Sequence, residues 1–194
     1  MGRCLIRIQQ YEHLAKAIAA HADLAGPAAQ LADIQTKRIE KASTASLGTL
    51  VKGEKTAFTT LRTLFTAETD EADSRDENTL PEDQPSFATR FRVQMTEERR
   101  TETIRELDEF VALRNRLVHH FMDDFDIFSE AGCTTALQHL VDSYTQIDRH
   151  FVSLEAHTQS LDNARRTMAA FMKTPEFRQL LSDGIEEIPK VIRL

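Results

Sequence analysis

The chain has 194 residues, enough for one ordinary domain whose core needs no disulfide or metal staples. Its six glycines, five prolines and wealth of Leu, Ala, Glu, Arg and Gln lean towards helix, and no 18 apolar residues run together to make a membrane span. The formal charge of −7 does not exclude RNA: residues 67–86 hold eight of the 31 acids and one of the 24 bases, so the remainder carries 23 of each.

The opening MGRCLIRIQQYEHLAKAIAAHA places Leu5, Ile8, Tyr11, Ala15, Ile18 and Ala22 three or four apart, which predicts a helix over 3–22. It is too polar and too often broken by charge for a secretory signal, so a cytoplasmic location is expected. Pro27 suits the first position of a second, weaker helix running to about residue 45 on Leu31, Ile34 and Ile39. Gly48 and Gly53 bracket a short helical turn, and TAFTTLRTLF (56–65) reads as helix or strand, with helix preferred. The acidic stretch 67–86, with two prolines and few apolar residues, is expected to be a flexible loop within a single domain spanning 1–194.

After it, FATRFRVQM alternates: Phe87, Thr89, Phe91, Val93 and Met95 face one way, which predicts a short strand near 87–95. A lone strand needs a partner, so a small hairpin or an edge-to-edge dimer contact is implied. Thr96 followed by Glu97 and Glu98 caps the next helix, about 97–121. A final long helix follows over 133–172, with its stripe from Leu137 to Phe171 interrupted by Thr158 and Arg165. PEFRQLLSDG adds a terminal helix between Pro175 and Gly184. The fold expected is mainly α: an up-down bundle of four to five helices.

Cys4 and Cys133 lie far apart without a CxxC or Cys/His companion, so two buried thiols are expected rather than a zinc site. His13, His21, His139, His150 and His157 form no compact ligand set and are expected as surface or satisfied core histidines. No metal or cofactor is implied. GxxxxGK[ST], GxGxxG and GxSxG are all missing, which leaves NTPase, dinucleotide-binding and α/β-hydrolase classes without support.

The stretch Arg114-Asn115-Arg116-Leu117-Val118-His119-His120-Phe121 stands apart. At about 100° per residue, Leu107, Phe110, Val111, Leu117, Val118 and Phe121 fall within roughly 60° of Arg114, which puts a guanidinium in the middle of an apolar stripe. Asp108, Asn115 and His119 share one flank at about 100–140°, and His120 lies on the other. Burying a cation there costs several kcal/mol unless it is compensated. Three explanations stand side by side: an ion pair with an acid of another helix, a side chain snorkelling to solvent, or a guanidinium lining a cleft that receives an anion.

Arg-Asn-x-x-x-His, together with the preceding ELDEFVAL and the doubled histidine, resembles the R-x4-6-H motif of the HEPN superfamily (higher eukaryotes and prokaryotes nucleotide-binding domain) over Ile104 to Phe121. The resemblance implies a metal-independent endoribonuclease of toxin–antitoxin or phage-defence type, acting as a homodimer on RNA. Arg114 matches the family arginine, Asn115 the polar residue that often follows it, and His119 the family histidine, while His120 also satisfies the spacing. A histidine titrating near neutrality can move the 2′ or 5′ proton, and the arginine can hold the phosphate. Arg99, Arg100, Arg105 and Arg116 either reach phosphates or form a solvated face; Arg105 and Arg116 are carried forward as substrate contacts. Asp123, Asp124 and Asp126 either orient a histidine or cap helix and loop ends. Phe121 stands where toxins paired with a nucleotidyltransferase antitoxin have a modifiable tyrosine, which argues against that route of inhibition; another antitoxin or regulatory protein remains open. The acidic loop is read as solvated, with mimicry of nucleic acid over the cleft as the less plain alternative. The competing class is a non-catalytic helical interaction or RNA-binding module on the same scaffold.

Overall fold

The computed structural model describes residues 1–53, 58–68 and 86–182. Most of them are helical, with two small two-stranded sheets beside the helices. Residues 69–85, most of the acidic segment expected as a loop, and Gly184 lie outside the described residues.

Helix α1 (Gly2–His21) buries Cys4, Ile8, Tyr11, Ala15 and Ile18, the three-and-four spacing read from the sequence. Its last carbonyls are capped from the side by α2 (Leu31–Thr44): Gln35 Nε2 donates to Ala20 O at 3.1 Å and Arg38 Nη2 to Ala19 O at 3.3 Å. Lys16 Nζ donates to Ser43 O at the other end of α2, so the two helices are antiparallel. Pro27 does not open this helix; it closes strand β1 (Asp23–Pro27) and precedes one 3-10 turn. The chain turns at Gly26, whose φ of 152° and close approach to Ile34 suit glycine.

Helix α3 (Leu47–Lys52) starts on a Ser46 cap; residues 56 and 57 of the stretch 56–65 lie outside the described residues, and its second half enters both alternatives in succession, α4 (Leu61–Leu64), then β2 (Phe65–Ala67). The expected strand over 87–95 is two strands, β3 (Ser86–Arg90) and β4 (Val93–Met95), and they do not form a hairpin with each other. Strand β3 pairs antiparallel with β1, and β4 pairs parallel with β2, so the partners come from within the chain. The break has a physical cause. Phe91 N donates to Ala22 O at 2.8 Å, and Arg92 grips Asp23 bidentately at 2.5 and 3.0 Å, turning the chain from one sheet to the other.

Helix α5 (Glu97–Asn115) begins on the Thr96 cap and gives way to a π-helical turn over Arg116–His120 and a short α6 (Phe121–Asp124). Helix α7 (Glu130–Phe171) has 42 residues, about 63 Å, and ends against α8 (Pro175–Ser182) with Phe171 and Phe177 rings 5.5 Å apart. Helices α1 and α7 run parallel, clasped by Cys4 Sγ on Leu140 O and by Arg7, which pairs with Asp148 at 2.8 Å and lies over the Phe151 ring. Helix α5 runs antiparallel to both, with Phe110 at the junction, 4.3 Å from the Tyr11 ring and 4.9 Å from His150.

Of the two cysteines expected to be buried, Cys4 is and Cys133 is not; both are free. Cys133 sits in the first turn of α7, on its solvent side, where its Sγ donates to Ile127 O. Its neighbour Gly132 is required: an added Cβ would lie 1.9 Å from Asp126 O. Gly132→Ala should therefore cost about 1–3 kcal/mol by forcing the loop off α7. Thermal unfolding checks this, and a wild-type midpoint would show that the loop yields freely. No helix among the described residues is long and apolar enough to cross a membrane.

Candidate active site

Helix α5 holds its inner side with Leu107, Phe110 and Val111, continued by Leu117 in the π turn. Arg114 lies on that side, its side chain 26% exposed, at the point where antiparallel α1 presents Glu12 one residue beyond Tyr11. Arg114 Nε donates to Glu12 Oε1 at 3.3 Å, so the first of the three explanations describes one edge of the guanidinium. The other edge points elsewhere: Nη1 donates to Asn115 Oδ1 at 3.2 Å and meets His119 Nε2 at 3.4 Å.

That second contact depends on the π turn. Along an uninterrupted α-helix, His119 would stand about 140° round from Arg114. A π turn closes i to i+5 hydrogen bonds, so a residue five positions on comes back over the same face. The five residues Arg116–His120 adopt it, and His119 returns over Arg114. An arginine only donates, so a hydrogen bond in this contact requires Nε2 of His119 as its acceptor. Asn115 and His119 are exposed, so the cluster is open to solvent.

His120 points to a different partner, its Nδ1 3.5 Å from Asp123 Oδ2 and its ring 6.4 Å from that of His119. Arg116 Nε donates to Asp124 Oδ2 at 2.5 Å, and this hydrogen bond holds the Asp124 carboxyl below the usual range. Asp126 caps the following loop by accepting from Phe128 N. Asp123 thus faces a histidine and Asp126 caps a loop, while Asp124 takes a third role as the partner of Arg116. Arg105 is not brought to the cluster. It pairs with Glu109 nine residues before Arg114, about 13 Å away along the axis on the opposite face. Asp108 likewise turns away, to Lys52 and Arg62. Phe121 is half-buried against Phe125, with ring centroids 5.1 Å apart.

Beside Arg114, the outer side of α1 forms an open cleft of about 260 Å³ lined by Gln9, Glu12, His13 and Lys16. Glu12 belongs to both cleft and cluster. Sequence reasoning missed these residues, although Gln9, Glu12, His13 and Lys16 follow helical i, i+3, i+4, i+7 spacing as a polar stripe opposite the apolar one. Among the described residues, no three His, Cys, Asp or Glu side chains converge as a metal site.

Comparison with family models, curated proteins and solved structures finds no match.

The remaining histidines serve packing. His21 contacts Gln35, His139 contacts Ser143, His150 tilts on Phe110 and His157 meets Phe65 edge-on. Burial pushes the His150 and His157 imidazoles below the ordinary histidine value. The unfolded chain then binds more protons than the folded one once pH drops below about 6.5. Their contribution is complete above that pH and is lost as pH falls towards the lower folded values. Melts between about pH 7.5 and 5.5 should show this fall. His150→Leu should flatten the slope, and an unaltered slope would assign the fall to other groups.

Proposed function

We propose that the chain is a metal-independent endoribonuclease of the HEPN type, with Arg114 and His119 as its catalytic pair. The observation that supports it is the π turn, which sets His119 Nε2 3.4 Å from an arginine already fixed from behind by Glu12. A π turn in this position is a costly local irregularity of the kind that accompanies functional sites. The substrate's 2′-hydroxyl attacks the adjacent phosphorus, its proton passing to neutral His119. The new 2′-O–P bond closes a cyclic phosphate, and the bond to the 5′ oxygen breaks. Arg114 stabilises the charge on the phosphoryl oxygens. The 5′ oxygen takes a proton from a second acid, for which His120 is the nearest histidine of the motif. Asn115 orients the guanidinium through its Oδ1, and Arg116 is the outer phosphate contact.

On this reading the protein works as a dimer within a helical bundle of HEPN type, as a toxin or defence effector with a regulatory partner. Val118 and Met122, both exposed beside the motif, offer apolar surface for such a contact. The test incubates wild type and the Arg114→Ala, His119→Ala and His120→Ala variants with single-stranded RNA in EDTA. Cyclic-phosphate ends should form with wild type and disappear with loss of Arg114 or His119. One observation favours the competing reading of a non-catalytic RNA-binding or interaction module: Arg114 and Arg116 each already have a carboxylate partner. That reading prevails if no protein in the series cuts RNA.

A further inference from the structure

We infer that the α1 cleft lined by Gln9, Glu12, His13 and Lys16 is a second subsite, which takes the nucleotide next to the scissile phosphate and holds its phosphate on Lys16. This rests on the ribonuclease reading. Three observations carry it. The cleft shares Glu12 with the Arg114 cluster, so a strand leaving Arg114 enters the cleft directly. The Glu12 carboxylate is neutralised by Arg114 and does not repel a phosphate as a free acid would.

The third observation is charge. Arg114 and Arg116 each have an acidic partner within 4 Å, whereas Lys16 has none among the described residues. Its one hydrogen bond, to the Ser43 carbonyl, anchors the ammonium without neutralising it and leaves two N–H donors for a ligand. Lys16 stands one helical turn, about 6 Å, beyond Glu12 on the same face. A phosphodiester chain spans such a distance in a single nucleotide step. Gln9 and His13 line the rest, with an amide and an imidazole suited to the polar edge of an unpaired base. The substrate this describes is single-stranded RNA.

The test uses the full chain and a fluorescent single strand of about 12 nucleotides carrying 2′-O-methyl riboses, which lacks the attacking hydroxyl. Binding is followed by anisotropy across salt concentration, and KM and kcat are measured separately on cleavable RNA. Lys16→Ala should weaken binding and raise KM about five- to tenfold, with a salt slope shallower by about 0.7. Lys16→Arg should restore both. Gln9→Glu, which breaks no hydrogen bond of Lys16, should also weaken binding, and so separates a subsite from a loss of folding. If wild type cuts RNA but Lys16→Ala and Gln9→Glu keep its KM and slope, the subsite falls and the ribonuclease reading stands. If wild type binds the strand through Lys16 but cuts nothing, the ribonuclease reading falls and takes with it the subsite's place beside a scissile phosphate, leaving the cleft as a site for single strands alone. If wild type neither binds the strand nor cuts RNA, both fall.

Discussion

Alanine in place of His119 should lower RNA cleavage by about 10²- to 10⁴-fold, the range lost with a general acid or base. Stability should hardly change, because the imidazole is exposed and makes one long contact. Arg114→Ala should lose at least as much activity and, unlike His119→Ala, should also destabilise the fold: it leaves Glu12, half-buried, without its cation. The two variants together separate chemistry from folding. Circular-dichroism melts beside single-turnover cleavage would read both. Cleavage by His119→Ala at the wild-type rate would remove His119 from the mechanism and transfer the role to His120.

The largest effect on stability is expected at Phe110. Its ring is wholly buried and touches the side chains that join α5 to α1 and to α7. Phe110→Ala should cost about 3–5 kcal/mol through lost transfer energy and the cavity left behind. For a chain of this size that is a fall of roughly 6–20 °C in the unfolding midpoint. The same change loosens the Tyr11–Phe110 contact that places Glu12 beside Arg114, so kcat should fall in the surviving folded fraction as well. Denaturant unfolding measures the first effect, and a loss under about 1 kcal/mol would contradict a central role for this ring.

The long helices were legible because each keeps one apolar stripe in register for many turns: Ile8, Tyr11, Ala15 and Ile18 in α1, and Ile147, Leu154 and Leu161 in α7. The strand pairing was not. Whether Phe91 and Arg92 continue a strand depends on Ala22 and Asp23, some 69 residues earlier, and no local pattern encodes that. Pro27 fits either a helix start or a strand end, and the choice was made by pairing with Ser86. At the site, Arg114, Asn115 and His119 were visible as residue types in a motif, but their geometry was not. Helical projection at a fixed 100° carries Arg114 and His119 apart, and only the π turn brings them together. Arg105 was included for its charge, yet the same helix turns it to Glu109. Glu12 lies 102 residues from its partner, and only the packing of Tyr11 on Phe110 shows that they meet.

The parallel clasp between α1 and α7 has a consequence for synthesis. Cys4 meets Leu140, a partner 136 residues further along the chain. At translation rates of about 5–20 residues per second, the first helix waits roughly 7–27 s for its contact on α7 to be made. Throughout that interval Ile8, Tyr11 and Ile18 lack much of their final shelter, and the nascent chain is open to chaperones. Stability therefore arrives late, once α7 has left the ribosome.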